Sequence, residues 1–472
     1  MNRDLAIAAA ARLFDDGRFM ADLARRVAIP TESQEERGKP HMRRYLDDEI
    51  GPTLTQMGYR TRIIDNPEPE FGPFLVAERI EDPALPTVLT YGHGDVIRGL
   101  EAQWQEGLSP WTIVQRGERY YGRGTADNKG QHSINLAALG IVIGARGRLG
   151  FNSKILVDMG EEVGSPGLHA FCRQHAELLK ADFLIGSDGP RLRPDRPTLF
   201  MGTRGAMNFD LIVDLRKGGH HSGNWGGLLA NPGIILAQAL ASLVSREGRV
   251  LLRDLVPARI PDSVRAALAD CEIEAGEDGP AIDSWWGEPG LSGAEKVFGW
   301  NTFEVLAFRT GNPENPVNAV PPRATAACQI RYVVDTDPNT FVPAIRRHLD
   351  ANGFQAVQVK PWAKGFFPAT RLDPKHPYAR WAAQSLERTT GMKPAVLPNL
   401  GGSLPNDAFT DVLGMPTIWV PHSYAGCSQH APNEHVLGPL MREGLQIMTG
   451  LFWDLGESPP AMQEKASAPG AA

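Results

Sequence analysis

The sequence contains little cysteine. Its four cysteines, Cys172, Cys271, Cys328 and Cys427, are widely separated and form no CxxC pair. A thiolate metal site needs closely spaced cysteines, and a disulfide framework needs an ordered set of them, so neither is indicated. Isolated thiols are typical of proteins from a reducing compartment, and we expect a cytoplasmic protein.

Charge of one sign and long hydrophobic runs are also missing. The 48 basic and 55 acidic residues give a net charge of -7 without a long run of either sign, which argues against a nucleic-acid partner. No stretch of about 20 apolar residues is present, so a membrane span is not indicated. The N-terminal MNRDLAIAAAARLFDD has no small-residue cleavage site and predicts an amphipathic helix rather than a signal peptide.

Short apolar runs that end at glycine or polar residues are present instead. They cover residues 87–91, 154–159, 182–185 and 416–420, and a helical pattern covers residues 131–143. This alternation predicts an α/β fold with a mostly parallel, buried sheet covered by helices. Ligands bind beyond the carboxyl ends of the strands in such sheets, so polar residues at those ends are candidate site residues.

A chain of 472 residues is long enough for two domains. The pattern changes between residues 202 and 362, where strand-like segments 207–215 and 325–334 flank helical segments 232–245 and 338–351. We therefore predict a first domain made of residues 1–201 and 363–456, with an α+β domain inserted at 202–362. The tail, residues 457–472, is rich in alanine, proline and serine and is predicted to be disordered.

Polar clusters follow the predicted strands. LTYGHGDVIRG places His93 and Asp95 after one strand, and GRGTADNKGQH places Asp127 at the start of a helix. Each has an ordinary alternative, because a His near an Asp is more often a core or surface pair, and an Asp at a helix start is more often an N-cap.

Three further clusters complete the set. VDMGEEVGSPG contains Glu161 and Glu162, LIGSDGP contains Asp188, and SQHAPNEH contains His430 and His435. Adjacent side chains at a strand end point in different directions, so one glutamate can bind a metal while the other faces a substrate water. Two histidines with three carboxylates form a nitrogen and oxygen ligand set suited to zinc. A shared carboxylate can bridge two ions about 3.5–4 Å apart, and a further acid can act as a base.

In this order the motifs resemble the co-catalytic zinc metallopeptidases, which include cytosolic dipeptidases and carnosinases, glutamate carboxypeptidase, acetylornithine deacetylase and succinyl-diaminopimelate desuccinylase. The resemblance covers nearly the whole chain and implies two divalent ions per subunit, zinc or alternatively manganese or cobalt. It implies the following metal ligands: His93, Asp127 as the bridge, Glu162, Asp188 and His430.

The same resemblance implies roles around the metals. Glu161 is expected to be the general base, and Asp95 is expected to hydrogen-bond the free ring nitrogen of His93. The family usually has a second Asp after the bridging one, joined by a cis peptide, whereas this chain has Asn128. The departure is conservative. His132, His169, His175, His422 and His435 match no family ligand position and are expected to be structural.

The inserted segment resembles the family's lid and dimerisation domain. KGGHHSGNWGG implies that His221, with His220 as the alternative, stabilises the oxyanion in the other subunit of a homodimer. NAVPPRATAACQIRYV implies that Asn318 lies near the scissile carbonyl and Arg331 near a substrate carboxylate. NLGGSLPND implies substrate contacts from Gly401, Gly402 and Ser403. The ordinary alternatives are a turn asparagine, a strand-edge arginine and a glycine turn.

The leading functional hypothesis is a dipeptidase-like exopeptidase that acts on small peptides. An N-acyl amino acid deacylase is the alternative within catalysis, because it shares the metal site. Two others are a metal-binding paralogue without catalysis and a mononuclear zinc hydrolase. The paralogue would lack the base or a ligand, but all are present here, and the mononuclear site would leave Asp188 or His93 unused.

Overall fold

A computed structural model describes residues 2–273 and 280–460 of the chain. The helices are α1 Arg3–Asp15, α2 Arg18–Val27, α3 Lys39–Tyr45, α4 Gly51–Gln56, α5 Lys129–Arg146, α6 Leu168–Gln174, α7 Ala176–Leu179, α8 Ser222–Trp225, α9 Pro232–Leu243, α10 Asp262–Leu268, α11 Gly293–Phe298, α12 Phe341–Ala351, α13 Pro377–Thr390 and α14 Gly438–Glu457.

The strands are β1 Arg60–Ile64, β2 Phe74–Arg79, β3 Thr87–His93, β4 Val114–Arg116, β5 Arg119–Tyr121, β6 Asn152–Asp158, β7 Phe183–Gly186, β8 Pro190–Arg191, β9 Thr198–Phe200, β10 Gly202–Thr203, β11 Gly205–Asp214, β12 His220–His221, β13 Thr302–Thr310, β14 Ala319–Val320, β15 Arg323–Tyr332, β16 Val357–Phe367, β17 Thr370–Arg371, β18 Ala395–Leu397, β19 Thr417–Trp419, β20 Ser423–Tyr424 and β21 His435–Leu437.

An eight-stranded sheet forms the centre of the larger unit, in the order β1-β2-β6-β3-β7-β19-β9-β18. The central strands β6, β3, β7 and β19 run parallel, while β1 and β2 are antiparallel to their neighbours. All residues of β6 are buried, as expected for a strand covered by helices on both faces. The predicted α/β class is confirmed.

A second, four-stranded antiparallel sheet lies in the inserted segment, in the order β13-β15-β11-β16. Helices α9 and α12 pack against it. Two short strands, β10 and β17, pair where the chain enters and leaves this unit. The strands of this sheet lie between Gly205 and Phe367. The predicted boundaries of the inserted domain, 202 and 362, stay a prediction. Strand β16 continues five residues beyond the second of them.

The N-terminal segment forms the helix α1, with Ala6, Ala10 and Ala11 buried. Among the described residues, no helix is both long and apolar enough to span a membrane. The four cysteines are free and buried. The predicted disordered tail begins at Glu457, the last residue of α14, and its residues 461–472 lie outside the described part of the chain.

Candidate active site

The carboxyl ends of three parallel strands bring the predicted site residues together. His93 is the last residue of β3, and a short turn at Glu161–Val163 follows β6. Asp188 lies just beyond β7. Since neighbouring parallel strands end at the same edge of a sheet, these side chains are close in space although up to 95 positions apart in the sequence.

The first group of possible metal ligands contains His93, Asp127 and Asp188, with ligand atoms that all lie within 4.8 Å of one another. Nε2 of His93 is 3.0 Å from Oδ1 of Asp127 and 3.5 Å from Oδ2 of Asp188. All three residues are buried. Three ligand atoms therefore face a common point.

The second group contains Asp127, Glu162 and His430, with the same mutual spacing. Nε2 of His430 is 3.0 Å from Oδ2 of Asp127 and 3.0 Å from Oε2 of Glu162. Asp127 thus gives one carboxylate oxygen to each group. This is the arrangement that a carboxylate bridging two ions requires.

The donor set fits divalent metal ions. It consists of imidazole nitrogens and carboxylate oxygens without sulfur, which suits zinc and other borderline or hard cations. Oδ2 of Asp188 is buried and has no hydrogen-bond partner among residues 2–273 and 280–460. A buried, unpartnered carboxylate oxygen is costly unless a cation or proton satisfies it.

The pKa values around the site reflect this crowding of negative charge. Burial raises the pKa of Glu161 well above its usual range, and nearby Asp188 and Glu162 add to the effect against the opposing His93. Burial and the neighbouring Asp127 raise the pKa of Glu162 to about 7. A carboxyl group with a raised pKa can exchange protons near neutral pH, as a general base must.

The pKa values of the two histidines are raised as well, which favours the charged form of each ring. Burial opposes a charged His93, but the surrounding carboxylates of Asp127, Asp188 and Asp95 raise its pKa well above the usual value. Hydrogen bonds with Asp127 and Glu162 raise the pKa of His430 to about 11. A divalent ion would compete with protons for these ring nitrogens.

Asp95 connects the first histidine to the glutamate turn. Nδ1 of His93 is 3.1 Å from the backbone oxygen of Asp95 and 3.3 Å from its Oδ1. The two carboxylate oxygens accept hydrogen bonds of 3.1 Å from the backbone N–H groups of Glu161 and Glu162. Asp95 therefore occupies Nδ1 of His93, leaves Nε2 for a metal, and fixes both glutamates.

Asn128, which departs from the family pattern, is fully buried and follows Asp127 through a cis peptide bond. Its Oδ1 accepts a hydrogen bond of 3.3 Å from the backbone N–H of His93, and its Nδ2 donates to the backbone oxygen of Ser187 at 2.8 Å. The amide thus connects the chain near the bridging Asp127 to the ends of β3 and β7.

Two residues that support Asp127 were not predicted from the sequence. Glu434 is buried, and its Oε1 accepts hydrogen bonds of 3.0 Å from the backbone N–H groups of Gly124, Ala126 and Asp127. Nε2 of Gln429 donates a hydrogen bond to Oδ2 of Asp127. Both residues lie within SQHAPNEH, but nothing in the motif identifies their distant partners.

A cavity of about 550 Å³ opens beside the two metal-ligand groups. Four of the predicted substrate-contact residues line it: Arg331, Gly401, Gly402 and Ser403. Nη1 of Arg331 donates a hydrogen bond of 2.9 Å to Oγ of Ser403. The volume is typical of small-ligand sites, which range over about 300–1,000 Å³.

His221 and Asn318 lie elsewhere, at the short pair of strands β12 and β14, where both side chains are exposed. They are near each other, because the backbone oxygen of Asn318 accepts a hydrogen bond of 2.9 Å from the N–H of Ser222. Neither is among the described residues that line the cavity. Their assigned roles stay predictions that need a second subunit.

The other histidines belong to neither ligand group among the described residues. Nε2 of His132 is 2.7 Å from the hydroxyl of Tyr45, and Nε2 of His435 is 2.6 Å from the hydroxyl of Tyr424. His169 pairs with Asp407, His175 packs on Phe171, and His422 is buried. These contacts agree with structural roles.

Known proteins resemble this chain over most of its length. The Beta-Ala-His dipeptidase of Rattus norvegicus is 24% identical over 419 residues, which cover 82% of this chain and 80% of that protein. The Cys-Gly metallodipeptidase of Saccharomyces cerevisiae is 23% identical over 482 residues, which cover 93% of this chain and 96% of that protein. The crystal structure of human carnosine dipeptidase 1 has a TM-score of 0.78 and 20% identity, and covers 97% of this chain and 99% of its own.

A family model also matches most of the chain. It matches residues 89–454, a span that contains all five predicted metal ligands and Glu161. The expected enzyme class, a metallopeptidase that acts on small peptides, is confirmed. The chain belongs to the peptidase family M20/M25/M40.

Proposed function

We propose that the protein is a dipeptidase that uses two divalent metal ions, with zinc as the expected metal. One observation carries the proposal: Asp127 directs Oδ1 to His93 and Oδ2 to His430, each 3.0 Å away, so a single carboxylate serves two adjacent ligand groups. The similarity to the rat and yeast dipeptidases supports a dipeptide substrate. It does not favour the N-acyl amino acid deacylase alternative.

The chain's own residues divide the reaction between them. His93, Asp127 and Asp188 would hold one ion, while Asp127, Glu162 and His430 would hold the other. Such ions, when bound, would supply a water of lowered pKa and polarise the scissile carbonyl. Glu161 takes one proton from that water as its oxygen bonds to the carbonyl carbon. When the carbon–nitrogen bond breaks, Glu161 gives this proton to the leaving amine.

The position of Glu161 supports this role. Its Oε2 is 3.9 Å from Nε2 of His93, it lines the cavity, and its backbone is held by Asp95. Glu162 points instead to His430, so the two adjacent glutamates have the different directions that a strand end predicts.

Arg331 and Ser403 supply the carboxylate site for the substrate's C-terminus. Within the described residues, Arg331 forms no ion pair, although it lines the same cavity as the metal ligands. Its Nε donates to Gln329 and its Nη1 to Ser403, which orients the guanidinium. A planar guanidinium suits a carboxylate because it can donate two parallel hydrogen bonds.

The active unit in this proposal is a homodimer. Strand β13 is an edge strand of the four-stranded sheet, and its Val305, Leu306 and Phe308 are 42–52% exposed. An exposed apolar edge strand is a natural site for pairing with another chain. A second copy would also supply His221, which is not among the described residues that line this subunit's own cavity.

Metal-dependent hydrolysis tests the proposal. Purified protein treated with a chelator and then loaded with Zn, Mn or Co is assayed with a panel of dipeptides and with N-acetyl and N-succinyl amino acids. We expect chelator-sensitive release of amino acids from dipeptides, and bound metal approaching two ions per chain by elemental analysis. Hydrolysis of acylated amino acids alone would replace the dipeptidase by the deacylase. One ion per chain at full activity would contradict the dinuclear site.

A further inference from the structure

The cavity beside the candidate metal centre has one polar end and one apolar wall. The polar end contains Arg331 and Ser403. The apolar wall combines residues from both units of the fold: Ile273, Val297 and Phe298 from the inserted domain, and Leu397, Leu400 and Leu404 from the larger one. Phe298, Leu400 and Leu404 keep 7–8% of their surface exposed, and that surface borders the cavity.

The glycine-rich loop borders both ends of the cavity. A Cβ atom on Gly401 would lie 3.1 Å from Cγ1 of Val297 and 3.7 Å from Cε1 of Phe298. Two residues further on, Oγ of Ser403 accepts a hydrogen bond from Arg331. The guanidinium and the apolar wall therefore border the same short loop at neighbouring positions.

A charged side chain of a substrate would have no partner of opposite charge on this apolar wall. The acidic residues that line the cavity are Asp127, Glu161 and Asp188, all in the candidate metal centre. Arg191 also lines it, but this side chain is already neutralised by its ion pair with Glu443. Among the described residues outside the candidate metal centre, the cavity therefore has no carboxylate to pair with a substrate lysine or arginine. Apart from Arg331, it also has no unpaired basic side chain for a substrate glutamate.

We infer that the enzyme selects dipeptides whose C-terminal residue has a large apolar side chain, such as leucine, methionine or phenylalanine. The C-terminal carboxylate binds Arg331 and Ser403, and the side chain of that residue packs against Val297, Phe298 and Leu400. This inference rests on the proposed dipeptidase function and names the substrate class of the same site. Side-chain burial in such a pocket discriminates by about 10–200-fold in kcat/KM.

A series of alanyl dipeptides tests it with the metal-loaded enzyme. We expect kcat/KM for Ala-Leu and Ala-Phe to exceed that for Ala-Gly by about 10-fold or more, and Ala-Asp and Ala-Lys to be poorer than Ala-Leu. Phe298→Ser should lower the ratio of Ala-Leu to Ala-Gly. Val297→Asp should raise the ratio of Ala-Lys to Ala-Leu, a gain that a damaged fold cannot produce.

Binding supplies a second readout that does not need turnover. Free L-leucine and L-phenylalanine, as product analogues, should raise the melting temperature of the metal-loaded protein more than glycine does, and Phe298→Ser should reduce that difference. Equal kcat/KM across the series would overturn the apolar preference and leave the dipeptidase intact. Hydrolysis of no dipeptide at all would remove the proposed function and this inference with it.

Discussion

The carboxylate of Glu434 accepts a hydrogen bond of 3.0 Å from the backbone N–H of Asp127, 307 positions away in the sequence. The same oxygen accepts from Gly124 and Ala126, while the other oxygen pairs at 2.7 Å with Arg123. Glu434 and Arg123 are each 1% exposed. One buried carboxylate thus fixes the loop that presents the bridging Asp127, and its own charge is balanced by a buried arginine.

Glu434→Gln should therefore damage both stability and metal binding. The amide leaves the charge of Arg123 buried without a counter-ion, which costs about 3–5 kcal/mol. Loosening the support of a metal ligand lowers metal affinity by about 10–100-fold. Thermal unfolding and competition with a fluorescent chelator measure the two effects. Glu177→Gln, which changes a glutamate 90% exposed, is the control, and an equal effect of both substitutions would contradict the assignment.

Glu161 and Glu162 should separate catalysis from metal binding. Glu161→Gln removes the base but no proposed ligand, so we expect both metals to stay and kcat to fall by about 10²–10⁴-fold. Glu162→Gln removes a carboxylate from the group with His430, so metal content should fall as well. Elemental analysis beside kinetics distinguishes them. Loss of metal from the Glu161 variant would show that it is a ligand rather than a base.

The sequence signal for candidate site residues was clearest at the ends of buried strands. His93 ends β3, and Glu161, Glu162 and Asp188 follow β6 and β7, so the parallel order of those strands brings them together. The fold class followed from the same apolar runs. The domain boundaries were predicted only from a change in the pattern of strand-like and helical segments. That pattern does not show that β16 continues to Phe367.

The supporting contacts were not predictable in this way. Glu434 lies in the same motif as His430, but the motif does not indicate that it contacts Gly124 and Asp127 in the folded chain. Val297 and Phe298 belong to a short helix of the inserted domain. They come close to Gly401 only because the two units of the fold pack together. Such pairings depend on tertiary geometry, which local periodicity does not encode.

Arg331 and Ser403 should affect substrate binding unequally. Arg331→Gln removes the charge proposed to bind the C-terminal carboxylate, so kcat/KM should fall by about 10–100-fold, mainly through KM. Ser403→Ala removes one neutral hydrogen bond and should cost about 10-fold or less. Steady-state kinetics with one good dipeptide measure both. An unchanged KM in the Arg331 variant would place the substrate carboxylate elsewhere.

The ion pair of His169 and Asp407 should contribute pH-dependent stability. Nε2 of His169 is 2.6 Å from Oδ2 of Asp407, and this hydrogen bond raises the pKa of His169 against the opposing effect of burial. A raised pKa in the folded state means that the contribution is complete below the unfolded value of about 6.5 and is lost as the pH rises through the folded value.

His169→Gln should therefore lower the melting temperature more at about pH 5.5 than at about pH 9. The side chain of His169 is 43% exposed, so solvent screening limits the effect to about 1 kcal/mol or less. Asp407→Asn should show the same pH trend. Equal losses at both pH values would mean that packing, not the charge of His169, stabilises this contact.

His221 should act across the dimer, and mixing two inactive variants tests this. His221→Ala lacks the oxyanion donor that it would give its partner, and Glu161→Gln lacks the base of its own site. In a mixed dimer, the site with an intact Glu161 receives His221 from the Glu161→Gln subunit and is complete. Random pairing makes half of the dimers mixed, so about one quarter of the wild-type activity should return.

A matched mixture identifies the cause of any recovery. Glu161→Gln combined with Asp188→Asn places both defects in residues that serve their own subunit's site, so neither site of a mixed dimer is complete and no activity should return. Recovery in this second mixture would mean that subunit exchange alone restores activity. If mixed dimers form but the first mixture stays inactive, His221 does not serve the partner's site, and the paired strands β12 and β14 have another role.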